Sequence, residues 1–174
     1  MSDLRYPVGR FEPRHTLTSE QRRSLIGEIA AAPQRMREAV RGLGDSELDT
    51  PYRDGGWKVR QVVHHLPDSH MNAYVRLKFT LTEQEPVIKP YDQETWAMLP
   101  DSQLTPIATS LTLLDSLHER WTTLMTSMAP ADFQRKFTHP EHGLMTLDWL
   151  VAMYAWHGRH HVGHIASLRE RKGW

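Results

Sequence analysis

Four histidines, at positions 157, 160, 161 and 164, lie within eight residues near the C-terminus. Neutral imidazole is the commonest protein ligand for a transition metal. Side chains four residues apart share one face of a helix, so His157 and His161 could hold one ion, and His160 and His164 have the same spacing. With a nitrogen from elsewhere they would make a three-ligand site with an open position, which is typical of a catalytic metal.

The helical phase of this segment favours the first pair. At about 100° per residue, His157 and His161 lie within or beside the apolar face of the helix. His160 and His164 fall progressively outside that face. We therefore expect His157 and His161 to point into the protein, and His160 and His164 to lie at the rim or to support the ligands from behind.

A third ligand could come from an upstream cluster that comprises His64, His65 and His70. The apolar stripe around it leaves His65 on one edge, His70 on the opposite edge and His64 pointing away. The pattern favours His65, with His70 as a rival because Pro67 interrupts the phase between them. For any one of these histidines, a hydrogen bond inside the core is the alternative to a metal.

Four helices must position these side chains. Apolar repeats predict them over residues 18–43, 57–82, 106–127 and 146–171. Thr18 and Gln21 have the spacing of a capping box at the start of the first helix. Thr105 is the expected N-cap of the third helix, before Pro106, and Thr146 is the expected N-cap of the last helix. We therefore expect an all-α four-helix bundle.

Other segments should interrupt or extend this bundle. Pro33 is expected to break or kink the first helix, and Pro67 to kink the second beside the upstream histidines. Residues 1–17 predict an extended N-terminal arm. Residues 129–145 predict an irregular connection, since no strand periodicity is evident.

Composition narrows the class of protein. The 174 residues are enough for one domain with a full core, spanning 1–174. Lys and Arg together number 21, as do Asp and Glu, so the formal charge is zero and nucleic-acid binding is not favoured. The absence of cysteine excludes disulfides and thiolate ligands, so a metal must be bound through nitrogen or oxygen. No apolar run suggests a signal peptide or a membrane span, and we expect a cytoplasmic protein.

Several segments resemble the DinB/YfiT superfamily of small metal-binding four-helix bundles, most closely its YfiT branch. They cover residues 6–9, 51–57, 59–66, 68–72 and 156–165, and so extend over nearly the whole chain. At the site, the resemblance rests on an H-L-x-D motif from His65 to Asp68 and an H-x-x-x-H motif from His157 to His161. The chain departs from the family at Pro67, where a helix former is more usual.

The resemblance implies that His65, His157 and His161 bind one divalent ion per subunit. Zinc is the default ion and nickel an alternative, since imidazole suits both. Members of the YfiT branch are regarded as metal-dependent hydrolases, are related to thiol S-transferases and are commonly homodimers. The implied partner is a small-molecule substrate, which could be a low-molecular-weight thiol, and neither a nucleic acid nor a membrane.

The reaction stays open between three alternatives. An ion held by three neutral imidazoles could lower the pKa of water, which predicts hydrolysis, or of a thiol cosubstrate, which predicts S-transfer. A non-catalytic metal-binding or ligand-binding module is the third.

Three residues near the predicted ligands are catalytic candidates. Asp68 could orient an imidazole or accept a proton, and His160 and His164 could shuttle protons.

Overall fold

Four long helices and several short elements make up residues 3–174, the part of the chain that the structure, a computed structural model, describes. The long helices are α1 (Ser19–Ala39), α3 (Val59–Thr82), α6 (Ile107–Ser127) and α7 (Leu147–Lys172). The short elements are α2 (Asp45–Leu48), α4 (Gln93–Trp96), α5 (Asp101–Leu104), a 3₁₀ helix (Asp132–Gln134) and the strands β1 (Lys136–His139) and β2 (Gly143–Thr146). The predicted four-helix bundle is confirmed. Within the described residues, no helix is both long and apolar enough to cross a membrane.

Side-chain caps begin the first and last long helices, as predicted. Thr18 Oγ1 accepts the backbone N–H of Gln21 at 3.2 Å, and the Gln21 side chain accepts the N–H of Thr18 at 3.0 Å. This reciprocal pair is a capping box. Thr146 Oγ1 accepts the N–H of Trp149 at 3.2 Å. These local bonds satisfy donors that the first helical turn leaves unpaired.

The third long helix begins one residue later than predicted. Pro106, expected as the first helical residue, is the cap residue with an extended ψ of 134°, and the helix starts at Ile107. Thr105, expected as the cap, instead ends α5, where its N–H donates to the Asp101 carbonyl. The short helix α5 was not predicted. Thr105 is the C-terminal cap of α5 and therefore does not cap α6.

The segment 129–145 is not irregular throughout, so that prediction is wrong. β1 and β2 pair antiparallel, with Phe137 opposite Met145, and both of these side chains are buried. Gly143 reverses the chain at a φ of 78°, which glycine adopts without steric penalty. Strands of four residues show too little alternation for a period of two to be recognised.

Two prolines lie inside uninterrupted helices. α1 continues through Pro33, so the break predicted as one outcome does not occur, and α3 continues through Pro67. Each proline lacks the N–H that would bond to the carbonyl four residues earlier, which belongs to Ile29 in α1 and to Val63 in α3. Both rings are buried.

A polar layer divides the core between two apolar clusters. The first cluster includes Ile29, Leu77, Trp121 and Leu150, and the second includes Met36, Val62, Leu114 and Ile165. All four long helices contribute to both clusters. Between the two, α3, α6 and α7 bring together five imidazoles, here called the histidine layer: His65, His70, His118, His157 and His161.

The N-terminal arm lies along α7. Trp156 Nε1 donates to the Gly9 carbonyl at 3.0 Å, and His164 Nε2 lies 3.3 Å from the Arg5 carbonyl oxygen. A Cβ atom on Gly163 would lie only 2.9 Å from Val8 Cγ1, so the arm can approach α7 closely only because residue 163 is glycine. The arm therefore covers one side of the helix that carries the C-terminal histidines.

A buried carboxylate anchors the end of the arm to the bundle. Asp148, with no exposed surface, accepts the N–H of Leu17 at 2.9 Å, Arg22 Nε at 2.8 Å and Gln134 Nε2 at 2.7 Å. These donors come from the arm, α1 and the 3₁₀ helix. A buried charge is stable only when paired and hydrogen-bonded, and this one is.

Candidate metal centre

Three imidazoles from two helices converge in the histidine layer. His157 Nε2 lies 3.4 Å from His65 Nε2 and 3.1 Å from His161 Nε2. One ring nitrogen from each residue lies within 4.8 Å of the others, close enough to share an ion. α3 supplies His65, and α7 supplies the other two from successive turns. The structure thus brings together the three residues that the sequence nominates as ligands.

Burial keeps these imidazoles neutral. His65 is 3% exposed and His161 is 7% exposed. Burial lowers the pKa of His65 to about 3. It also holds the pKa values of His157 and His161 well below the ordinary value, and the neighbouring imidazoles add to this effect. The neutral ring is the form that binds a metal, so this donor set fits a divalent ion.

His70, the rival ligand, has no free ring nitrogen. Its Nε2 lies 3.0 Å from His157 Nδ1, and its Nδ1 lies 2.8 Å from His118 Nε2. It therefore contacts a candidate ligand instead of pointing a lone pair at the same ion. His64, expected to point away, has its Nδ1 2.7 Å from Ser110 Oγ on α6.

His160 and His164 are 9% and 3% exposed, so both are buried and do not lie at an exposed rim. The Tyr52 ring stacks on His164 with 4.0 Å between centroids, and Trp156 stacks on His160 at 4.4 Å. The arm, whose Arg5 carbonyl meets His164, closes the same side. Helical phase could not show this cover, because it comes from distant segments. A role in proton transfer stays a prediction.

Asp68 follows His65 by one turn of α3. Within the described residues, its carboxylate makes no hydrogen bond to an imidazole of the layer. Burial, with a smaller contribution from Asp101, raises the pKa of Asp68 to about 6. The carboxyl group can therefore change protonation near neutral pH, and its catalytic role stays a prediction.

A cavity of 300 Å³, here called the small cavity, opens onto the candidate centre. Histidines of α7 line one side, and residues 52–53, 55–57 and 93–94 line the other. The Trp57 ring packs on His65 with 4.7 Å between centroids, and its Nε1 donates to Glu94 Oε2 at 2.9 Å. Of the described residues that line this cavity, Glu94 alone carries a carboxylate.

A second cavity of 600 Å³, here called the large cavity, borders His157 on the side of the hairpin. Arg76 lies in its wall and donates to the Lys89 carbonyl at 3.0 Å, while its buried Nε has no partner within the described residues. Tyr91 lines the same space, and burial raises its pKa to about 12. The large cavity therefore offers hydrogen-bond donors beside the centre.

Two further groups of side chains could hold an ion. One consists of His160, His161 and His164 on α7, and the other of His139, Glu141 and His142 at the hairpin. The first group shares His161 with the candidate centre, and its His164 already contacts a backbone carbonyl. The second group has two exposed members. Neither group joins two long helices, whereas the candidate centre does.

One residue of the layer, His118, and one beside it, Gly158, were not singled out from the sequence. His118 lies four residues after Leu114 and three before Trp121 in the apolar stripe of α6, which is the available signal that a histidine occupies a core position. Gly158 lies beside the layer on α7. A Cβ atom there would lie 3.2 Å from Ala32 Cβ, so glycine allows α7 to pack closely on α1.

Comparison with known proteins agrees with this architecture. A family model described as the DinB superfamily matches residues 28–165. Two proteins named "Putative metal-dependent hydrolase", from Bacillus mycoides and Bacillus cereus, are 53% and 52% identical over 100% of both chains. The structure is similar to that of YfiT from Bacillus subtilis, described as a probable metal-dependent hydrolase with an unusual four-helix bundle topology; the TM-score is 0.96, with 46% identity over 98% of each chain. The chain therefore belongs to the DinB superfamily.

Proposed function

We propose that this protein is a metal-dependent hydrolase that binds one divalent ion through His65, His157 and His161. The convergence of three neutral imidazoles from α3 and α7 is the observation that supports the proposal most directly. The names of the Bacillus relatives point to the same activity. When bound, a divalent ion in such a set acts as a Lewis acid and lowers the pKa of a nucleophile.

Glu94 is the candidate proton acceptor. Its carboxylate lines the small cavity together with His157 and His161. One of its oxygens is held by the Trp57 indole, and that indole packs on His65. A general base must lie within reach of the proton that it removes. Glu94 shares a cavity with two candidate ligands, whereas Asp68 is not among the residues that line it.

The large cavity is the candidate site for the body of the substrate. Its volume of 600 Å³ is within the range of small-molecule sites, about 300–1,000 Å³. Both His157 and Arg76 line it. A polar or anionic group of a small molecule would find donors there.

Zinc is the proposed physiological ion. An all-imidazole set without cysteine suits zinc, and nickel could occupy the same site. The proposal includes the homodimer and the cytoplasmic location expected from the sequence. Light scattering and cell fractionation would test these two expectations.

Metal-stripped protein reloaded with zinc tests the activity. The loaded protein should hydrolyse an activated ester without added thiol, and neither the stripped protein nor His65→Ala should do so. Glu94→Gln should keep the metal and lower kcat. Turnover that requires a low-molecular-weight thiol would replace hydrolysis by S-transfer, and metal binding without either reaction would indicate a non-catalytic binding module.

A further inference from the structure

A chain of hydrogen-bonded imidazoles crosses the bundle behind the candidate centre. His157 Nδ1 lies 3.0 Å from His70 Nε2, and His70 Nδ1 lies 2.8 Å from His118 Nε2. His118 Nδ1 lies 2.6 Å from the Ile29 carbonyl oxygen. These residues belong to α7, α3, α6 and α1, so each long helix contributes one member. His70 and His118 are only 0% and 2% exposed, which shields the chain from solvent.

Pro33 accounts for the free carbonyl at the end of the chain. In an α-helix the Ile29 carbonyl would accept the N–H of residue 33, but proline has no N–H. The oxygen is therefore left in the core without its helical partner. His118 supplies the missing donor, which explains how a carbonyl in the middle of α1 can receive a side chain.

The carbonyl sets the direction of every hydrogen bond in the chain. A carbonyl oxygen only accepts, so His118 Nδ1 carries a hydrogen and donates it. A neutral imidazole has one donor and one acceptor, so His118 Nε2 accepts from His70 Nδ1. By the same rule, His70 Nε2 accepts from His157 Nδ1. The Nε2 atom of His157 is then left unprotonated, facing the candidate centre.

We propose that His70 and His118 are positioning residues that hold His157 as its Nδ1–H tautomer, with the Nε2 lone pair directed at the metal site. This inference rests on the proposed function, because the lone pair matters only for binding an ion. Imidazole ligands commonly donate their other N–H to an acceptor that orients the ring. Here the final acceptor is a helix carbonyl, reached through two further imidazoles.

The tautomers of the metal-free wild-type protein give the first test. Long-range ¹H–¹⁵N correlation spectra should show Nδ1–H tautomers for His118, His70 and His157. An Nε2–H tautomer at His157 would overturn the proposal. The measurement needs neither bound metal nor a substituted chain, so its result is independent of whether the protein proves to be a metalloenzyme.

Zinc affinity gives the second test, measured by competition with a chromophoric chelator. His118→Leu should raise the Kd by about 10- to 100-fold and leave His157 in mixed tautomers, as expected for loss of an orienting partner. His118→Gln retains a donor and an acceptor and should restore much of the affinity.

His64→Leu is the matched control. It also removes a buried imidazole that joins α3 to α6, through Ser110, but it lies outside the chain of hydrogen bonds. Its Kd should stay within about twofold of the wild type, since no partner of a ligand is lost. Equal Kd values for His118→Leu and His64→Leu would contradict the positioning role. Wild-type protein that binds no zinc would refute the proposed function instead.

Discussion

At the scale of single residues, burial decides the chemistry of the histidine layer. An exposed histidine is partly protonated near neutral pH, but imidazoles inside this core keep their lone pairs because a buried cation would lose its hydration. His65, His157 and His161 are thereby held in the form that a cation needs. The same burial leaves His70 and His118 able to accept as well as donate a hydrogen bond.

Single substitutions should separate the ligands from their neighbours. His157→Ala and His161→Ala should each lose the metal in elemental analysis, because two remaining imidazoles hold an ion weakly. His160→Ala should keep it, since this ring stacks on Trp156 instead of facing the centre. Full occupancy in both ligand variants would refute the assigned set, and loss of metal in His160→Ala would favour the alternative group on α7.

Acid should destabilise the metal-free protein. Burial lowers the pKa of His65 to about 3 and that of His118 to about 4, whereas histidine in an unfolded chain titrates near about 6.5. Below about pH 6.5 the unfolded chain binds protons that the folded chain excludes, so the free energy of unfolding falls by about 1.4 kcal/mol per pH unit for each such proton. Above that pH, these histidines should not make the free energy of unfolding depend on pH.

Urea unfolding between about pH 7.5 and pH 4.5 would measure this dependence. The decline should be confined to the acidic side of about pH 6.5. An unfolding free energy that stays constant down to about pH 4.5 would show that these imidazoles are accessible to protons in the folded state.

At the scale of elements, signals between residues close in the sequence predict the four long helices. They do not predict the structure of the segments that connect those helices. The cap at Thr18 and the stripe of α6 depend on neighbours within a few residues, so both are visible in the sequence. The hairpin was missed because each strand has four residues. Pro33 predicts a break or a kink in α1, but its actual effect depends on His118, which lies far along the chain and supplies a donor to the freed carbonyl.

The site was predictable to a similar extent. The spacing of His157 and His161 is a local signal, and it placed both side chains in the layer. The pattern favours His65 over His70 but keeps His70 as a rival, because Pro67 interrupts the phase between them. The contact that engages His70, from His118 on another helix, cannot be read from the sequence. The cover over His164 comes from residues more than a hundred positions away, for which a single sequence offers no pattern.

The buried ion pair between Arg22 and Asp148 should contribute more to the free energy of unfolding than an ion pair on the surface. Asp148→Ala removes the acceptor of Arg22 and leaves a guanidinium group buried, which should lower the free energy of unfolding by about 3–5 kcal/mol. Lys58→Ala is the control. It breaks an exposed pair with Asp49, which keeps its bond to Arg60, so the value should change by no more than about 1 kcal/mol. Similar losses in the two variants, measured by urea unfolding, would contradict this ranking.

At the scale of the whole molecule, the two apolar clusters hold the bundle together on either side of the polar layer. A metal ion at the proposed site would join α3 to α7, but each helix also packs through its apolar residues in both clusters. Metal binding should therefore add stability by mass action without being required for folding.

Chelation provides the corresponding measurement. Removal of the ion should lower the melting temperature and leave the far-ultraviolet circular dichroism spectrum helical at room temperature. Readdition of zinc should restore the melting temperature. Loss of the helical spectrum on chelation would show instead that the ion is structural.

The docked arm has a kinetic consequence. Because the arm lies along α7 and contacts His160 and His164, an ion at the proposed site would be exchanged on that side only when the arm detaches. Gly163→Ala places a Cβ atom 2.9 Å from Val8 Cγ1 and should loosen the arm, so a chelator should extract zinc faster. Gly27→Ala is the control, since a Cβ atom there meets nothing within 4 Å. Equal extraction rates in the two variants would mean that ions leave by another route. A faster rate in Gly163→Ala would show that detachment of the arm determines how long the metal stays bound.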